Sequence, residues 1–83
     1  MASGLDDSFL LLTFLHNMGH VGEDRAVGVE EISTALQMDG VRVKEILSSL
    51  ESDGYVARVE VSGRGVRFYL TGKGVIKVCS IYT

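Results

Sequence analysis

The chain has 83 residues, 46% of them hydrophobic, and its eight Lys and Arg against eleven Asp and Glu give a net charge of −3. This length suits one compact domain and excludes a two-domain enzyme, and a core that buries only about 60 to 65% of the unfolded surface favours self-association. The acidic balance argues at first against a nucleic-acid partner.

The first predicted element is a helix over residues 5–18, with Ser3 or Asp6 available as its N-cap. Its polar residues cluster in one narrow wedge, so apolar side chains cover well over half of the circumference. An ordinary surface helix needs an apolar stripe only somewhat wider than about 100°. We therefore expect one face to pack on the core and the face around Leu10 and Phe14 to bury against something else.

Two further helices follow a polar connection, with a tight turn between them. The second helix is predicted over residues 29–37, which share an apolar face made by Val29, Ile32 and Leu36. The third is predicted over residues 41–53. Its apolar residues recur at i, i+3, i+4 and i+7, namely Val43, Ile46, Leu47 and Leu50. Gly54 suits the left-handed position just past the end of this helix.

Beyond residue 54 the apolar period changes to two, which predicts a two-stranded ribbon over residues 55–70. Ser62, Gly63, Arg64 and Gly65 form its tip. The tail, residues 71–83, is ambiguous, because its apolar residues fit a helical face while its β-branched residues and glycines lower helix propensity. We favour a short helix capped by Thr71.

Helix, helix, tight turn, helix and ribbon is the order of a winged helix-turn-helix, an α+β fold that here occupies residues 1–83 as one domain. In such proteins the third helix enters the major groove of DNA, and the ribbon, or wing, reaches the backbone or the minor groove.

The stretch VGVEEISTALQMDGVRVKEILSSLESDGYVARVE resembles the helix-turn-helix of small winged-helix transcriptional regulators of the MarR, PadR and ArsR type. FYLTGKG resembles their Leu-Thr-x-x-Gly ending. The resemblance covers roughly residues 28–75 and implies DNA binding. MarR-type regulators carry long terminal helices that this chain lacks, so it is closer in plan to short archaeal or phage-like winged-helix proteins.

The polar face of the third helix carries the candidates for DNA contact: Val41, Arg42, Lys44, Glu45, Ser48 and Ser49. Arg and Lys donate to guanine or to phosphates, Glu accepts from cytosine, Ser bonds to either base or phosphate, and an apolar side chain can touch a thymine methyl. Exposed helix faces are normally charged, so each residue also has a purely structural explanation. Glu45 would repel phosphates unless it meets a base or an arginine.

Arg64 lies between two glycines at the wing tip, on a support thin enough to enter a narrow minor groove. Arg58, Arg67 and Lys73 could extend a phosphate-contacting stripe. With roughly 6 to 10 phosphate contacts in a dimer, affinity should fall about 10³- to 10⁵-fold between 50 and 200 mM salt.

The distribution of charge supports this reading. Residues 1–40 carry one basic and seven acidic side chains, a net of −6, whereas residues 41–83 carry seven basic and four acidic ones, a net of +3. The third helix and the wing thus belong to the basic half, which indicates a side that faces a polyanion.

The expected function is a homodimeric, sequence-specific regulator that binds double-stranded DNA, with half-sites about 34 to 36 Å apart. The expected dimer interface is apolar and comprises Leu10, Leu11, Phe14, Val75, Val78 and Tyr82. Two alternatives stay open. One is a winged helix that docks protein in a multi-subunit assembly, and the other is a protein that coats DNA without sequence preference.

Other functions have weaker support. His16, His20, Glu23 and Asp24 suggest a metal site only loosely, because Gly19 interrupts their helix and no cysteine pair accompanies them. No catalytic motif is present, so we expect neither an enzyme nor a cofactor. The single cysteine, Cys79, favours a reducing compartment, the cytoplasm, and no apolar run is long enough for a membrane partner.

Overall fold

A computed structural model describes residues 6–81 of the chain. Its elements in chain order are α1 (Asp7–Asn17), a 3₁₀ turn (Glu23–Arg25), α2 (Val29–Leu36), α3 (Gly40–Ser52), β1 (Val56–Val61), β2 (Gly65–Leu70) and α4 (Gly72–Ile81). Helices α2 and α3 form the helix-turn-helix, and β1 and β2 form the wing. The predicted winged-helix fold is confirmed, and the ambiguous tail is a helix as far as it is described.

Local signals explain where the helices begin and end. The Asp6 carboxylate accepts a hydrogen bond of 2.9 Å from the Phe9 backbone N–H, so Asp6 is the N-cap of α1; Ser3 lies outside the described residues. Helix α2 ends at Leu36 because Gln37 turns into the left-handed region at φ 53°. Gly54 takes φ 85° after α3, as its position predicted.

The wing is an antiparallel ribbon whose register runs from Val56 opposite Leu70 to Val61 opposite Gly65. A third, very short extended segment flanks it, because Val27 and Phe68 exchange two backbone hydrogen bonds of 2.7 Å. The ribbon is therefore joined to the segment that leads into α2. The base of the wing is fixed to the helical part of the molecule.

Helix α4 closes over the start of the wing through a close backbone approach. Thr71 is its N-cap, as predicted, since the hydroxyl accepts from the Gly74 N–H at 3.1 Å and donates to the Gly54 carbonyl at 2.7 Å. A Cβ at Gly74 would lie 2.2 Å from the Tyr55 carbonyl oxygen. Only glycine lets α4 pack this closely.

The core draws on all four helices and both strands, and its fully buried side chains include Leu11, Leu15, Ile32, Leu47, Leu70 and Val78. The prediction that Leu11 and Val78 belong to a dimer interface is therefore wrong. Both side chains are 0% exposed, so they have no surface to offer a partner. Leu10 does turn away from the core, as expected, but because α1 is apolar around most of its circumference the sequence could not assign Leu11, the next residue, to the inner face.

Candidate nucleic-acid interface

A groove of about 820 Å³ separates the start of α2, the start of α3 and the wing. Its lining includes Gly28, Val29, Glu31, Lys44, Arg64 and Arg67. We call this feature the groove. In a winged helix this is the side on which the third helix and the wing face DNA.

The exposed face of α3 borders the groove and carries all six residues that the sequence singled out on this helix. The apolar residues of α3 point into the core, so the opposite face is left to solvent. Exposed on it are Val41, Arg42, Lys44, Glu45, Ser48 and Ser49. Val41 is 63% exposed, which leaves its methyl groups free to make an apolar contact.

Two cations that line the groove have no partner among the described residues. The side chains of Lys44 and Arg64 form no hydrogen bond or ion pair within residues 6–81. Arg64 lies at the wing tip, where Gly63 and Gly65 both take φ 79°. That conformation favours glycine, so the tip can project Arg64 from a narrow turn. One free cation thus lies on the third helix and one on the wing.

Arg42 is exposed but already paired. Its Nε donates to Asp7 Oδ2 at 3.3 Å, and its Nη1 lies 3.9 Å from Glu45 Oε1. The Asp7 contact connects the first turn of α3 with the first turn of α1, whereas Glu45 lies on α3 itself. Half-exposed pairs of this kind contribute about 0 to 1 kcal/mol, so a phosphate could displace either carboxylate.

Arg58, on β1, makes a bidentate pair with Glu51 of α3. Its Nε lies 2.9 Å from Glu51 Oε2 and its Nη2 lies 2.8 Å from Oε1. The hydrogen bonds to Glu51 raise the pKa of the Arg58 guanidinium. The guanidinium carbon also lies 5.4 Å from the centre of the Phe68 ring.

Arg67, on β2, reaches the start of α2. Its Nε donates to the Ala26 carbonyl at 3.1 Å and its Nη2 donates to Glu31 Oε1 at 2.7 Å. The same Glu31 oxygen accepts from the Gly28 N–H at 3.1 Å. This backbone hydrogen bond, with a smaller contribution from the Arg67 charge, lowers the pKa of the Glu31 carboxyl.

Lys73, the last member of the predicted phosphate-contacting stripe, also has partners within the chain. Its Nζ donates to the Asp53 carbonyl at 2.9 Å and lies 5.4 Å from the centre of the Tyr55 ring. Sequence reasoning missed these partners because they lie far from Arg67 and Lys73 along the chain. Within this stripe, only Arg58 has its partner nearby in sequence, at Glu51, seven residues before it.

Exposed apolar side chains lie on α1 and on α4, two helices that pack together. Leu10 is 42% exposed and Ile76 is 71% exposed. Phe14 and Val75 are partly buried against the core, and Tyr82 lies outside the described residues. Sequence reasoning missed Ile76, because the helical face drawn through Val75, Val78, Cys79 and Tyr82 leaves it out.

The histidines make no metal cluster in the described part of the chain, where no three His, Cys, Asp or Glu residues come together as ligands. His20 Nδ1 lies 3.0 Å from the Arg25 carbonyl oxygen, and its ring centre lies 5.8 Å from that of Phe14. Cys79 is exposed on α4. Between residues 6 and 81, no helix combines the length and apolar character needed to cross a membrane.

Solved structures with similar folds include a protein–DNA complex and a DNA-binding fragment. Staphylococcus aureus MepR in complex with DNA superposes with a TM-score of 0.80 at 22% identity, over 94% of this chain and 61% of MepR. A MarR family protein from Bacillus stearothermophilus gives 0.77 at 22% identity, over 98% of this chain and 53% of that one. The DNA-binding TubR fragment from Clostridium botulinum gives 0.81 at 20% identity, over 98% and 99%.

No model of a known protein family matches the chain, and no curated protein matches it in sequence. At these identities the structural matches establish the winged-helix fold. This chain spans little more than half the length of MepR and of the MarR family protein, whereas it spans nearly all of the TubR fragment.

Proposed function

We propose that this chain is a transcriptional regulator that binds double-stranded DNA with sequence preference and acts as a homodimer. The observation that carries the proposal is the pair of unpartnered cations, Lys44 on α3 and Arg64 on the wing tip, which line one groove. Those are the two elements that a winged helix presents to DNA. The similar fold of MepR, solved in complex with DNA, supports the same assignment.

In this proposal α3 lies in the major groove with its first two turns against the base edges. Lys44 donates to guanine or phosphate, Val41 contacts a thymine methyl, and Ser48 bonds to a base or to phosphate. Arg42 joins them when a phosphate replaces Asp7. Arg64 grips the flanking minor groove or backbone. The proposed role is binding rather than catalysis. A protein with this role is expected in the cytoplasm, together with the DNA.

Dimerisation is supported by the apolar side chains of α1 and α4 that are left in solvent. Leu10 is 42% exposed and Ile76 is 71% exposed, and a second copy seated on these helices would cover both side chains. A twofold dimer would place its two copies of α3 about 34 to 36 Å apart, one turn of DNA.

Selection of bound sequences from a pool of random duplex DNA tests the proposal. The wild-type protein should enrich a partly palindromic site. Lys44→Ala and Arg64→Ala should each weaken binding to that site by about 1 to 3 kcal/mol, because each removes a cation from the interface. Lys77→Ala is the matched control, since Lys77 is an exposed lysine on α4, away from the groove.

The outcomes separate the proposal from its alternatives. Binding without enrichment would indicate a protein that coats DNA, and it would contradict the sequence preference. No binding at low salt would contradict the DNA proposal altogether. The exposed Leu10 and Ile76 would then favour a module that docks protein.

A further inference from the structure

Two Arg–Glu pairs tie the wing to the helix-turn-helix, one from each strand. Arg58 on β1 holds Glu51 of α3, and Arg67 on β2 holds Glu31 of α2. Each helix of the helix-turn-helix is thus joined to one strand of the wing. Lys44 and Arg64, the cations proposed to contact DNA, are left out of both pairs.

The register places the two arginines on opposite faces of the ribbon. Arg58 lies opposite Phe68, and Val59 lies opposite Arg67, on the next rung. Side chains of directly opposed residues share a face of an antiparallel pair, and successive rungs alternate between faces. The pairs therefore hold the ribbon from both sides and resist its rotation in either direction.

Arg64 depends on this support for its position. It lies at a tip flanked by two glycines, three residues before Arg67 in the chain, and its side chain makes no hydrogen bond or ion pair with the described residues that would orient it. An isolated two-stranded ribbon is only marginally stable in water. The distance and angle between Arg64 and the α3 face are consequently set at the base of the wing.

We propose that Arg58 and Arg67 are positioning residues that set the spacing between the α3 contacts and the Arg64 contact on DNA, and thereby the sequence discrimination. This inference rests on the proposed function. It replaces the role that sequence alone suggests for both arginines, namely direct contact with phosphates. Their guanidinium groups are directed at Glu51, Glu31 and Ala26.

The two roles predict different results when either partner of a pair is neutralised. Arg58→Gln removes a positive charge and Glu51→Gln removes a negative one. If Arg58 contacts phosphate, the first change weakens binding to every duplex and the second strengthens it. If Arg58 positions the wing, both changes reduce discrimination, because each breaks the same pair.

The test measures dissociation constants for a selected duplex and a scrambled duplex, by fluorescence anisotropy over a salt series. Discrimination is the dissociation constant for the scrambled duplex divided by that for the selected duplex. Both single variants and the double variant Arg58→Gln/Glu51→Gln should lower this ratio about tenfold, an effect of the size that one mismatched base pair has on affinity. The double variant should resemble either single one, because residues of one pair are not additive. Arg58→Gln should leave the slope of log affinity against log salt unchanged.

The Arg67–Glu31 pair allows the same binding measurements to be repeated independently, with the variants Arg67→Gln and Glu31→Gln. Glutamine at position 31 keeps an oxygen that can accept from the Gly28 N–H, so the start of α2 is preserved. Thermal melts verify that each variant is folded. Glu51 and Arg58 have side chains that are 31% and 51% exposed, which favours tolerance of the changes.

Four results would overturn the inference. One is opposite effects of the Arg and Glu variants on affinity, together with a salt slope reduced by about 0.9 for Arg58→Gln. Another is a lower melting temperature with unchanged discrimination, which would make the pairs merely structural. The third is a wild-type protein that binds DNA without preference, which also contradicts the sequence preference of the proposed function but leaves its DNA binding intact. The fourth is a wild type that binds no DNA, which overturns both proposals.

Discussion

At the residue scale, the structure separates side chains that hold the fold from side chains that remain available to a ligand. The face of α3 could be predicted from the helical period, since Val43 and Leu47 fix which side is buried. The partners of Arg67 and Lys73 could not be predicted, because they come from segments distant in sequence. Their identity depends on how the wing and α4 fold back on the helices.

Substitution of Gly74 should weaken the packing of α4 against the start of the wing. In Gly74→Ala the new Cβ would meet the Tyr55 carbonyl oxygen at 2.2 Å and Leu70 Cδ1 at 2.6 Å, so α4 must move away from the wing. We expect the free energy of unfolding to fall by about 1 to 3 kcal/mol in urea denaturation. Gly72→Ala, in the same helix with nothing within 4 Å, should be neutral or stabilising. Equal effects of the two changes would contradict this account.

Glu31 should contribute to stability in a way that depends on pH. Its pKa in the folded protein lies below the ordinary value of 4.5, chiefly through the Gly28 hydrogen bond, so the charged form favours folding. This contribution is present above pH 4.5 and is lost as the pH falls through the lower, folded-state pKa. The difference in stability between wild type and Glu31→Gln should therefore shrink on acidification, as measured by urea denaturation. A stability difference that does not change with pH would contradict this contribution of Glu31.

At the element scale, the sequence predicted the identity and order of the elements, and most bounds within one or two residues. Periodicity suffices for α2, α3 and the strands, because each has one buried face. It fails for α1, which is apolar nearly all round and turns Leu11, Leu12 and Leu15 inward. For α4 the close approach at Gly74 determines the packing, and the spacing of apolar residues in the sequence does not predict that approach.

The exposed apolar side chains of α1 and α4 lead to a prediction about oligomeric state. Leu10→Asp and Ile76→Asp should each convert a dimer to a monomer in sedimentation analysis, because a buried charge at the interface is costly. Both side chains are exposed in the single chain, so the fold should tolerate the changes better than a change at the half-buried Phe14. Val41→Asp changes a valine on α3 that is 63% exposed, between Leu10 and Ile76 in exposure, and it should leave the mass unchanged. A wild-type monomer, or unchanged mass in both variants, would contradict the dimer.

At the scale of the whole molecule, the position of charge matters more than its sum. The basic half of the sequence does contain the third helix and the wing, as the charge split predicted. Three of its arginines, however, are paired with carboxylates: Arg42, Arg58 and Arg67. The free positive charge of the candidate interface is therefore that of Lys44 and Arg64, which the sequence alone could not separate from the others.

The salt dependence of DNA binding tests the central claim most directly. Two free cations in each copy, joined by Arg42 when a phosphate replaces Asp7, give about four to six phosphate contacts in a dimer and a slope of log affinity against log salt of about −3.6 to −5.4. Affinity should then fall roughly 10²- to 10³-fold between 50 and 200 mM salt, and the slope should be shallower for Lys44→Ala and Arg64→Ala. A slope near zero, or no binding to duplex DNA at 50 mM salt, would contradict the assignment of this surface to DNA.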